Sequence, residues 1–279
     1  MMKRPGYNPT RRNRKIGTKH ALIGQNNKLV IPWAWADDRI FYERLVDPVI
    51  VEIQVRSVSK HIIIEPTRPG FTHACTVDDI QQLLELMPVE HINDITAFVL
   101  RQPKRKEQIL APVWGRLVYS SDVCGFSGPT VYLEAQNANQ PMKWSKSLTP
   151  ESARELERLR YDGHVVKTDK RQHIIKSTLH TIRNTLLYRT LPHEIGHYVD
   201  YLTKVEEPSK DNPDEWSALN DKYHARPSQE KESFAHRYAD EFRQKQTANG
   251  SIPFERLFDD AKIRTIGLNP TWFDPRSGV

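Results

Sequence analysis

The residues with the clearest chemical meaning are His193-Glu194-Ile195-Gly196-His197. Two histidines four positions apart on a helix share one face and stand one turn apart. Their imidazoles can converge on one Zn²⁺. Glu194 lies about 100° round the helix from His193, clear of the metal but near its open coordination position. There it can take a proton from a water that the metal has made acidic, while the metal also polarises a scissile carbonyl.

A catalytic zinc site needs a third protein ligand and an open fourth position. No third histidine follows His197 at short spacing, since Asp200 and Tyr201 come next. The better candidate is Glu232, which opens the run Glu232-Ser233-Phe234-Ala235-His236-Arg237-Tyr238-Ala239-Asp240. Phe234, Tyr238 and Phe242 form one apolar stripe at helical spacing. Glu232 falls on another side, with the small Ala235 and Ala239 beside it, so this helix can lie close to the histidine helix and point a carboxylate in. Asp200 reads as an acceptor for a ligand histidine, as a third ligand, or as a plain surface aspartate. His236, one turn after Glu232, could also reach the metal; it ranks below Glu232 as a ligand and otherwise reads as part of the site wall.

HEIGHYVD followed by ESFAHRYA resembles the glutamate-zincins, and most of all the branch containing the catalytic domain of anthrax lethal factor and its bacterial relatives. The resemblance implies a zinc-dependent endopeptidase with an α+β, zincin-like fold. That fold has a small mixed sheet, an active-site helix carrying the metal and a following ligand helix. It implies His193, His197 and Glu232 as ligands and Glu194 as the base, and it spans roughly residues 95–245. The family tends to place an oxyanion-steadying tyrosine seven residues before the glutamate ligand. Here that position is Ala225, with Tyr223 and His224 close by, and Tyr223 is seven residues before Glu230. So either the loop carries an insertion or Glu230 is the ligand; Glu232 fits the E-x-F-A pattern, and Tyr223 is the candidate phenol. Peptidases of this architecture bind substrate as an added strand on a sheet edge. Gly128–Ala135 is the candidate edge, because Pro129 is tolerated at a strand start or edge.

Several elements must hold these groups in place. Val49–Val55 and His61–Glu65 look like paired strands, and Val77–Met87 looks like a helix with Asp78 and Asp79 favouring its start. Thr96–Arg101, Val113–Ser120 and Thr130–Ala135 read as further strands. After residue 150 the chain reads mostly helical. Thr149-Pro150-Glu151 is a helix start, Ile175, Leu179, Ile182, Leu186 and Leu187 recur at helical spacing, and Gln229–Lys245 forms another helix. Pro192 cannot sit deep in a regular helix, so the histidine helix either begins there with Thr190 as its cap or kinks there. Residues 203–228 read as a loop. The expected organisation is an irregular basic arm over 1–28, an α/β region of unassigned role over 29–90, and the zincin-like domain over 91–279.

Bulk properties set the remaining bounds. The 279 residues are 38% apolar and 27% charged, which suits a folded chain with a sizeable core. No apolar run is long enough to span a bilayer, and the basic N-terminus lacks the apolar stretch of a secretory signal. Cys75 and Cys124 form neither a disulfide framework nor a metal cluster, so a cytoplasmic protein with reduced thiols is expected. Of the 41 Lys and Arg, seven fall in residues 1–20 without a single acid, leaving 34 cations against 35 acids elsewhere. That arm is either a solvated tail or a contact for nucleic acid or another acidic partner. A nucleic-acid-associated protein with a structural or regulatory metal site is therefore the alternative to a peptidase acting on protein or peptide. A third reading, a phage- or mobile-element-type structural or interaction protein that keeps the fold without turnover, fits poorly with an intact Glu194.

Overall fold

The Val- and Ile-rich runs around residue 57 fold back on each other. Strands β1 (Val49–Val55) and β2 (Val58–Ile64) pair antiparallel with Val55 opposite Val58, and Arg56 turns the corner at φ 55°. The computed structural model describes residues 40–105, 113–210, 212–274 and 276. The basic arm, 1–28, lies outside the described residues. Helix α1 (Val77–Glu85) comes next, opened by a reciprocal box in which the Thr76 hydroxyl accepts from the Asp79 N–H and the Asp79 carboxylate accepts from the Thr76 N–H.

Strands β3 (Ala97–Arg101), β4 (Gly115–Val123) and β5 (Phe126–Glu134) complete a five-stranded mixed sheet in the order β1-β2-β3-β5-β4. The three inner strands run parallel, and the outer two are antiparallel to their neighbours. Strands from both sides of residue 90 pair within this sheet, and residues 43–279 form one compact unit, so no domain break falls near residue 90.

The edge lies elsewhere than expected. β5, which contains Gly128–Glu134, is paired on both sides, and β4 is the outer strand. Pro129 is accommodated because the β4–β5 register shifts between Val118 and Ser121, opposite it. A bulge there removes the need for a ladder donor.

The chain beyond residue 150, expected to be mostly helical, also contains two strands among the described residues. Short strands β6 (Met142–Ser145), β7 (Val165–Thr168) and β8 (Gln172–Lys176) form a separate antiparallel sheet, and α2 (Pro150–Tyr161) lies between β6 and β7 in the chain. Ile175 belongs to β8 and packs with Leu156 and Leu159 of α2. The helix begins only after the Thr178 cap, as α3 (Leu179–Thr185).

A π-helical turn (Leu186–Thr190) joins α3 to α4 (Leu191–Tyr201), and a second (Leu202–Glu206) extends α4. The stretch expected as a loop, 203–228, instead contains helix α5 (Pro213–His224), capped by Asn212. Helices α6 (Ser228–Ala248) and α7 (Asp260–Thr265) complete the chain's helices of this length among the described residues. Helix α4 packs against β4, β5 and α6, so Ile195, Tyr198, Leu191, Val131 and Phe242 share the main core. Among the described residues no helix is long and apolar enough to cross a membrane. The fold is α+β.

Candidate metal centre

Pro192 has no N–H, and in a regular helix its ring would meet the carbonyl of Tyr188. Thr190 does not cap a new helix: its backbone is helical and its side chain makes no cap bond. Instead the Leu191 N–H donates to the Leu186 carbonyl, five residues back. A widened turn just before a proline relieves the ring–carbonyl clash without ending the helix. The helix thus continues through Pro192 and presents His193 and His197 one turn apart.

Helix α6 meets α4 at its small residues. A Cβ on Gly196 would stand 3.1 Å from the Ala235 Cα and 3.0 Å from Tyr238 Cδ1. Glycine permits that approach without displacing α6, and the approach brings Glu232 to the histidines. His193 Nε2 and His197 Nε2 are 3.1 Å apart. Glu232 Oε2 is 3.3 Å from His193 Nε2, and Oε1 is 3.5 Å from His197 Nε2. Glu230 is exposed and pairs with Arg226 at 3.4 Å. Asp200 is fully buried, and its carboxylate accepts from Arg226 at 2.8 Å and from Lys204, facing neither histidine.

These donors fit a small cation. Tetrahedral zinc with ligand bonds of about 2.0–2.1 Å sets its donors about 3.3–3.4 Å apart. A purely hydrogen-bonded account is poorer. If both imidazoles donated to Glu232 from Nε2, two N–H groups would face each other across 3.1 Å. The His193 ring packs 4.3 Å from the His236 ring, centroid to centroid, while its buried Nδ1 has no hydrogen-bond partner among the described residues. On the Nδ1 side, packing against His236 rather than a carboxylate orients that ring.

Electrostatics separates the groups by role. Hydrogen bonding to His193 holds the Glu232 carboxyl down to about 2, against the opposing effect of burial. Burial lowers His197 to about 4, with His193 adding to the shift, so its imidazole is neutral and free to ligate. Burial also lowers His236, to about 3. Burial raises the Glu194 carboxyl, partly offset by His193 and by a backbone bond. For Asp200, burial pushes upward, but the bonds from Lys204 and Arg226 outweigh it and leave the carboxyl lowered.

That backbone bond comes from the edge strand. The Leu117 N–H donates to Glu194 Oε2 at 2.8 Å. Trp114 accepts from Glu134 on β5 at 2.9 Å, so by alternation Gly115 and Leu117 turn their backbone polar groups away from the sheet. A cleft of about 380 Å³ runs along this edge, bordered by Gly115, Leu117, Tyr119, His193, Glu194 and Glu232.

Tyr223 stands one layer behind. It is buried, its hydroxyl donates to the His197 carbonyl at 3.4 Å, and it lies 3.0 Å from the Tyr119 hydroxyl. His224 is exposed, its ring 5.5 Å from that of Tyr119. The phenol bordering the cleft is Tyr119, whose pKa burial pushes up to about 12. Sequence reasoning missed it. Its strand was legible, but not that the strand is the outer one.

No family model, curated protein or solved structure matches this chain, so the site is read from its own residues and geometry.

Proposed function

We propose that this chain is a zinc-dependent metalloendopeptidase of the glutamate-zincin type. The observation that carries the reading is the convergence of His193 Nε2 and His197 Nε2, 3.1 Å apart, on the Glu232 carboxylate, whose Oε2 is 3.3 Å from the first and Oε1 3.5 Å from the second. Their chemistry and spacing suit zinc held by two imidazoles and one carboxylate, with room for a further ligand from the cleft. Zinc bound there would supply Lewis acidity toward water and a carbonyl oxygen.

The protein's own groups do the rest. Glu194, buried and with its proton affinity raised, takes a proton from the attacking water and returns it to the leaving amine. Its bond to Leu117 sets the carboxylate at the mouth of the edge. Tyr119 stays protonated at neutral pH and can donate to oxygen that gains charge. Apart from the Leu117 N–H, which Glu194 takes, the outward backbone groups of β4 offer an extended peptide strand-like pairing that accepts many sequences.

The test is elemental analysis of the purified protein and of the His193→Ala and Glu232→Ala variants, followed by cleavage of a mixed peptide library. The reading expects near-stoichiometric zinc in the parent, loss in both variants, and peptide cleavage that Glu194→Gln abolishes. A parent that takes up no zinc after reconstitution, or a zinc-loaded parent that cleaves nothing, would overturn it.

A further inference from the structure

The small sheet β6–β8–β7 has two unlike faces. Opposed residues on neighbouring strands point the same way. Met142, Ile175 and Val166 are opposed across the three strands, as are Trp144, His173 and Thr168. Met142, Trp144, Ile175 and Val166 from this set pack with Leu156 and Leu159 of α2. The other face carries Lys143, Lys167 and Lys176, all exposed, around Ile174. Lys146, Lys170 and Arg171, also exposed, lie at the strand ends. Among the described residues none of these six cations forms an ion pair. Asp169, between β7 and β8, accepts from the Arg171 and Gln172 amides at 2.7 and 2.8 Å and interacts electrostatically with Lys146.

We infer that this basic face is a docking surface for double-stranded DNA. Lys143 and Lys167 both oppose Ile174 from the strands on either side. Two strand spacings place these lysines about 10 Å apart. The B-form major groove is about 12 Å across, and phosphates line both its walls. The minor groove and the deep, narrow major groove of A-form RNA match that spacing less well. A single strand would want aromatic rings to stack on, and the sheet's aromatic Trp144 faces inward. An anionic membrane would want large apolar side chains to insert, and Val165 and Ile174 are the largest this face offers. Leu156 and Leu159 seat α2 on the sheet, while Arg154 and Arg158, on its opposite side, border a second cleft with Glu232. A duplex on the basic face therefore leaves the His193–His197–Glu232 group open. The inference is independent of the metal reading and of residues 1–20.

The test is fluorescence anisotropy of a labelled duplex of about 20 base pairs, titrated with the full chain across a salt series in EDTA. Three proteins are compared: the parent, the triple variant Lys143→Gln, Lys167→Gln, Lys176→Gln, and a control carrying Lys210→Gln, Lys222→Gln, Lys245→Gln. Circular dichroism checks folding. Each lost phosphate contact lowers the slope of log K against log salt by about 0.9. The first triple variant should thus lose close to three units of slope and bind on the order of 100-fold more weakly at physiological salt, with the control near the parent. A parent that does not bind, a triple variant that binds like the parent, or a control weakened as much would overturn the proposal. So would preferential competition by double-stranded RNA, single-stranded DNA or anionic vesicles.

Discussion

Glu194 and Leu117 are joined by a 2.8 Å hydrogen bond from a backbone N–H of the outer strand to a buried carboxylate on helix α4. The sheet edge and the helix that carries both histidines therefore hold one another through the acid that the proposed chemistry uses.

Glutamine can still accept from the Leu117 N–H, whereas alanine leaves that amide unpaired. Glu194→Gln should keep native stability and zinc content while lowering peptide hydrolysis by about 10²–10⁴-fold. Glu194→Ala should in addition cost about 1–3 kcal/mol in urea denaturation. Equal stability of the two variants would mean that the bond contributes nothing.

Gly196→Ala would push Ala235 and Tyr238 away by a few tenths of an ångström. The overpacking costs about 1–3 kcal/mol and outweighs the gain in helix propensity of about 1 kcal/mol. Because Glu232 rides on the displaced helix, zinc should bind about tenfold more weakly, a change of about 1.4 kcal/mol. Titration against a competing chelator measures it, and unchanged affinity would contradict the role given to the close approach.

Tyr119 borders the cleft and Tyr223 lies behind it, their hydroxyls 3.0 Å apart. Tyr119→Phe should lower kcat by about 10²-fold with little change in KM, as loss of an oxyanion donor does. Tyr223→Phe should have a smaller effect. The reverse order would return the donor's role to Tyr223.

Two histidines away from the cluster should make stability depend on pH. His73, whose Nε2 donates to the Glu65 carbonyl at 2.7 Å, and His164, between Ser177 and Thr185, are each lowered by burial to about 4 from 6.5. Each is neutral in the folded state while its unfolded counterpart takes up a proton. Their contribution is whole above pH 6.5 and is lost as pH falls through about 4. Each accounts for up to about 3 kcal/mol at 1.36 kcal/mol per unit. Urea denaturation between pH 4 and 7 should show a shallower slope in His73→Gln than in the parent. An unchanged slope would rule His73 out as a source.

The parts legible in the sequence are those set by local rules. β1 has the limits its Val and Ile alternation indicates, α2 starts at Thr149-Pro150, and the Glu232 helix covers the expected stretch. Asn212-Pro213-Asp214-Glu215 carried a full helix-start signal, but the polar residues after it hid α5. β7 and β8 are only four and five residues long, and Ile175 falls by coincidence in phase with the helix after it. Which strand lies outermost depends on pairing between distant segments, and no local pattern records it. Tyr119 and Leu117 were therefore invisible as site residues even though their strand was expected.

The two π-helical turns carry a further consequence. Each holds one residue more than an ordinary turn would, which offsets the segments on either side by about 100°. Arg183 can thus face Asp79, to which it bonds at 2.9 and 3.1 Å, while the histidines about three and four turns later face Glu232. The Leu186–Thr190 turn works as a vernier. It lets the anchoring half and the metal-facing half of one continuous helix be aimed separately, so shortening it by a single residue would keep the helix and misdirect one half.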